Sequence, residues 1–110
     1  KKHLFTFGYE TPDELRSNSD HGTEFESCAC VWIISETPQE AEEWGRVVAD
    51  GFVEWLFKDC EARPPLWTVS GFAHWIETDP AALSAADELP VVSVGEMPDF
   101  ALFANTARDR

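Results

Sequence analysis

The chain has 110 residues, with 21 Asp and Glu against 8 Lys and Arg, for a net charge of −13. That length fits one domain spanning 1–110, and a hydrophobic share of 44% that includes five Trp and eight Phe separates it from a disordered acidic tail. Such a charge repels phosphate backbones and anionic lipid, so direct nucleic-acid binding and membrane association are set aside and a basic protein partner is favoured.

Leu4 to Tyr9 reads as a first strand, with His3, Phe5, Phe7 and Tyr9 on one side and Leu4 and Thr6 on the other. Thr11-Pro12-Asp13-Glu14 is a helix start: Thr11 caps, Pro12 suits the first position and Glu14 closes a capping box. The pattern then stops in the polar run Ser17 to Gly22, which predicts one or two turns followed by an exposed loop. Thr23 to Ser35 reads as a second strand. Glu24 and Glu26 share a face at its start, and Cys28 to Ile34 is apolar on both faces, as in a central strand. One face would carry Cys28, Cys30, Trp32 and Ile34, the other Ala29, Val31 and Ile33.

Thr37-Pro38-Gln39-Glu40 repeats the capping signal and opens the longest helix. Trp44, Val48, Phe52 and Trp55 recur at helical spacing, while Glu42, Glu43, Arg46, Asp50 and Glu54 lie mostly off that stripe. Val53 and Phe57 are off it too. Either the helix is covered on a second side, or these two are exposed and invite a partner. Gly45 and Gly51 each cost a helix about 1 kcal/mol, and Gly51, inside the apolar arc, suggests close approach of a strand.

Trp67 to Ile76 reads as a third strand, Thr78-Asp79-Pro80 as the start of a short third helix at an edge, and Val91 to Val94 as a fourth strand. Phe100, Leu102 and Phe103 are expected to anchor the tail, and 104–110 to fray. The order predicts an α+β, two-layer sandwich: a small, mostly antiparallel sheet of about four strands with one long amphipathic helix packed on one face. The strand–helix–strand unit around 28–76 suggests a parallel crossover, with antiparallel pairings outside it.

The odd set Cys28, Cys30 and Cys60 does not close into disulfides, which favours a reducing cytoplasmic location. No apolar run is long enough to span a bilayer, and the N-terminus carries no signal-peptide pattern. The three cysteines with His3, His21 or His74 form the best metal candidate. Two of them, however, sit inside an apolar strand that cannot wrap an ion, so all three read as core filler and no metal or cofactor is assigned. Glu24 with Glu26, and Glu36 with Glu40 and Glu43, are carboxylate clusters with the chemistry for Mg²⁺ or Ca²⁺. They read instead as a solvated face and as charge suited to a helix N-terminus. No nucleophile elbow, P-loop, zincin helix, EF-hand loop or dinucleotide fingerprint occurs.

Two functional expectations follow. The first is a small acidic protein-binding module, an inhibitor, immunity or antitoxin-type protein that blocks a basic partner surface. Its face would combine Glu24, Glu26, Glu36, Glu40, Glu43, Asp50 and Glu54, with Val53 and Phe57 as apolar anchors or as a homodimer patch. The alternative is a small-ligand or enzymatic domain with an aromatic pocket between helix and sheet, lined by Trp32, Trp67, His74 and Trp75.

Overall fold

Strand β1 (Lys2–Tyr9) runs through the middle of a four-stranded sheet and is buried at seven of its eight residues. In the computed structural model, which describes residues 1–61 and 63–103, β1 pairs antiparallel with β2 (Ser27–Ile34) on one side and with β3 (His74–Glu77) on the other. β4 (Val91–Ser93) adds in parallel outside β2, giving the order β3-β1-β2-β4. The sheet is therefore mixed and the fold is α+β. β2 and β3 run in the same direction but have β1 between them, so the crossover passes over β1 rather than joining neighbours. The outer pairing at β4 is parallel, not antiparallel as expected.

Alternation along the strands decides what each face holds. Phe5, Phe7 and Tyr9 of β1 and Ala29, Val31 and Ile33 of β2 point to one face, each no more than 3% exposed. There they meet Ala41, Val48, Ala49 and Phe52 of α2 (Pro38–Leu56). Gly45 is a point of close approach, because a Cβ there would clash with the Cγ end of the Phe5 ring. Gly51, the residue expected to face a strand, instead lies under Phe100 and Met97 of the C-terminal segment. Phe103 closes this core at 1% exposure, with its ring centroid 4.7 Å from that of Phe52. Leu102 points outward at 61%, and the fraying expected of 104–110 lies outside the described residues.

The second face carries Leu4, Cys30 and Trp32, packed against Ala86, Leu83 and Leu89 from α3 (Pro80–Ala85) and the turn after it. The third helix thus covers part of a face rather than an edge. The Trp32 indole N–H donates to the Ala86 carbonyl at 2.7 Å, which fixes that turn to the sheet.

α1 (Pro12–His21) is longer than its apolar pattern implies. It buries no residue fully and is held by its ends. The Thr11–Glu14 capping box is present, and Gly22 at φ 66° closes the C-terminus, a conformation that costs glycine little. Asn18 then staples the following loop: its amide accepts from the Phe25 N–H at 2.9 Å and donates to the Phe25 carbonyl at 2.9 Å. Residues 23–26 are occupied by this staple, so β2 begins at Ser27, whose hydroxyl donates to Glu14.

The predicted third strand shortens to β3. Trp67 lies in a 3₁₀ turn (Trp67–Val69) and is swung under α2. Its indole N–H donates to the Gly8 carbonyl at 2.8 Å.

Candidate functional site

The Thr37–Glu40 capping box forms as the sequence predicts, with the Glu40 amide donating to Thr37 Oγ1 at 3.2 Å and the Thr37 amide donating to Glu40 Oε1 at 3.2 Å. From that start the helical period brings Glu40, Glu43, Val47 and Glu54 onto the face of α2 turned away from the sheet, and all four are exposed. At 1.5 Å per residue, Glu40 to Glu54 is a line of about 21 Å. Glu36 is exposed in the turn just before the helix. Among the described residues the ion pairs with Lys or Arg are Arg16–Asp13 and Lys58–Asp59, so no described lysine or arginine pairs with these glutamates. Val47, 42% exposed, puts an apolar side chain inside the acidic line.

The other members of the predicted face are placed differently. Asp50 shares the helix side but is half-buried, and its Oδ1 accepts the Thr68 N–H at 3.0 Å, so it caps the 3₁₀ turn. Glu24 and Glu26 do not join the face. They precede β2, whereas Glu36 follows it, and eight strand residues put about 26 Å between the two ends. The Glu26 carboxylate also lies over Gly8, on the sheet face opposite α2.

Val53 and Phe57 do not form an exposed patch. At 8% and 2% exposure they are core residues, because the segment from Pro64 to Trp67 folds over the second side of the helix. They form the floor of a groove of about 270 Å³, with Leu66, 65% exposed, on its wall and Glu54 at its rim. Of the two alternatives left by the helical pattern, cover on a second side or an exposed patch, the first holds for these two side chains.

The aromatic pocket separates into two places. Trp67 and His74 are on the α2 face, with ring centroids 5.2 Å apart. The His74 Nδ1 is 3.3 Å from the Phe72 carbonyl, and its Nε2 is 3.7 Å from Glu42 Oε2. Trp32 and Trp75 are on the opposite face. Trp32 is buried under α3, with Lys2 Nζ 4.4 Å from its ring centroid, and Trp75 is 41% exposed. Adjacent strand residues point to opposite faces, so His74 and Trp75 cannot line one cavity.

The thiols are equally dispersed. Cys30 is core filler at 7% exposure, with Sγ 3.4 Å from Thr6 Oγ1. Cys28, expected to be buried, is exposed, and Cys60 is half-buried beyond the end of α2. Among the described residues no three His, Cys, Asp or Glu side chains gather as metal ligands, and no helix is long and apolar enough to cross a membrane.

Sequence reasoning passed over Glu77. Its Oε2 accepts the amides of Thr78 and Asp79 at 3.1 and 3.2 Å, and its Oε1 accepts the Trp75 indole N–H at 3.2 Å. The Asp79 amide above all, then the Trp75 indole and the Thr78 amide, holds the carboxyl below its ordinary value of 4.5, against an opposing effect of desolvation. The signal was present in Glu77-Thr78-Asp79-Pro80, a carboxylate just ahead of a capped helix start. No protein-family model, curated protein or solved structure matches this chain.

Proposed function

We propose that this protein is a small acidic binding module that docks a basic protein surface on the outer face of α2, as an inhibitor, immunity or antitoxin-type protein covers its target. The observation that carries this reading is the line Glu40, Glu43 and Glu54, about 21 Å long, with Val47 set within it and no lysine or arginine of the described residues paired to it. Each carboxylate is exposed and has no described lysine or arginine on it, so its charge is available to steer a cationic partner. The −13 net charge adds a long-range field that speeds the approach of a cationic protein and turns away nucleic acid. Glu36 extends the line from the turn before the helix, and the capped rigid helix presents Glu40, Glu43 and Glu54 without further ordering. The three thiols, none of them disulfide-bonded, suit a reducing cytoplasmic setting.

The test is affinity capture at low and high ionic strength, followed by reconstitution of each recovered protein with purified wild type and with the triple variant Glu40→Gln, Glu43→Gln, Glu54→Gln. A basic partner, released by salt and bound at least about tenfold more weakly by the triple variant, is the expected result. A partner held equally by both proteins would place the binding face elsewhere.

A further inference from the structure

The second face of the sheet holds a cleft that the partner reading does not use. Where α3 and the turn after it border this cleft they present small side chains, Ala82, Ala85 and Ala86, which leave a space of about 340 Å³ over the sheet. The floor is set by register: Trp75, Thr6 and Cys30 form one row across β3, β1 and β2, and Glu77 with Leu4 form the next. This is the size and lining of a small-molecule site, apolar with a few fixed polar groups.

The charged group lining the cleft is Glu77, and the nearby Glu26 has the same sign. Glu77 stands at one end of the floor, its carboxylate turned by the Trp75 indole and two backbone amides. At the Cys28 end, the Glu26 carboxylate lies over Gly8, the register partner of Cys28. Cations are not supplied by the described side chains lining the cleft. Trp75 is a large aromatic left 41% exposed beside a carboxylate, an arrangement that attracts an organic cation through both the ring face and the charge.

We infer that this cleft binds a small organic ammonium ion carrying an aryl or compact alkyl group. The apolar part lies on Trp75 beneath the alanines of α3, and the ammonium group is held toward Glu77. This site is independent of the acidic face of α2, because the two lie on opposite sides of the sheet.

The probes are benzylammonium, benzyl alcohol and benzoate, which share a ring and differ in charge. Binding is read by tryptophan emission and by the rate at which iodoacetamide alkylates Cys28, an exposed thiol at the cleft. Benzylammonium is expected to bind saturably, at least about tenfold tighter than benzyl alcohol, with no saturable binding of benzoate. It is expected to slow the alkylation of Cys28, and the emission change is expected to vanish in Trp75→Phe. Glu77→Gln should lose about tenfold in affinity. Because Glu77 also holds the β3–α3 turn, Ala85→Leu is the second variant: it fills the cleft from an exposed position and leaves Glu77 intact. Loss of binding in Ala85→Leu with an unchanged melting temperature supports the site. Equal binding of the three probes, or undiminished benzylammonium binding by Ala85→Leu, overturns it.

Discussion

Replacing Gly45 and Gly51 by alanine should shift stability in opposite directions, although both lie in the same helix and neither has a positive φ. Helix propensity alone predicts a gain of about 1 kcal/mol at each. At Gly45 the new methyl would overlap the ring of Phe5, which is 0% exposed and is packed against Phe7 at 5.7 Å and Trp67 at 6.5 Å between ring centroids. Overpacking a filled core costs about 1–3 kcal/mol, and a ring fixed on several sides belongs at the upper end. The net expectation is a loss of about 1–2 kcal/mol. At Gly51 the methyl would meet Phe100 Cζ at 3.2 Å and Met97 Cε at 3.6 Å. Phe100 is half-buried and Met97 is 46% exposed, so both can give way and a gain of up to about 1 kcal/mol survives. Urea denaturation followed by tryptophan fluorescence, with unchanged m-values, measures both. A Gly45→Ala protein as stable as wild type would refute the packing of α2 on β1 described above.

Three further outcomes are expected. His3 is 8% exposed and its Nε2 has no hydrogen-bond partner among the described residues, so His3→Leu should raise stability by about 1 kcal/mol in the same denaturation assay, and a clear loss contradicts this. Asp50→Ala removes the acceptor for the Thr68 amide and should cost about 1 kcal/mol while speeding hydrogen exchange at that amide, and unchanged exchange there would rule out the cap. The Glu77 carboxyl titrates lower in the folded chain than its ordinary 4.5, so its contribution to stability is present above that value and is lost as pH falls through the folded value. Wild type should therefore exceed Glu77→Gln at neutral pH and converge with it in acid, whereas a gap independent of pH would remove Glu77 as the cause.

Local signals were legible wherever one stretch of chain decides its own structure. Both Thr-Pro-x-Glu capping boxes form, and the alternation that separates Ala29, Val31 and Ile33 from Cys30 and Trp32 sorts them onto opposite faces as read. Long-range choices were not legible. The helical period does not say that Pro64 to Trp67 folds over Val53 and Phe57, because that rests on long-range contacts of Trp67, buried against Phe5 and Phe7 and donating its indole N–H to Gly8, 59 residues away in the chain. The extra length of α1 rests on the Asn18 staple, a side-chain contact that periodicity does not carry. The division of Trp67 and His74 from Trp32 and Trp75 between the two faces of the sheet is already contained in strand alternation, since His74 and Trp75 are neighbours in β3. Of the acidic face, the part written in one helix was recoverable, and the part that required Glu24 and Glu26 to meet it across the length of β2 was not.

The central claim, that the outer face of α2 steers and holds a cationic partner, is tested most directly by the association rate of the recovered partner as a function of salt. Wild type should associate fast at low salt and slow steeply as salt rises. The triple variant Glu40→Gln, Glu43→Gln, Glu54→Gln should start at least about tenfold slower and show a flatter salt dependence, while Glu77→Gln, on the other side of the sheet, should follow wild type closely. Identical rates and identical salt dependence in wild type and the triple variant would contradict the account.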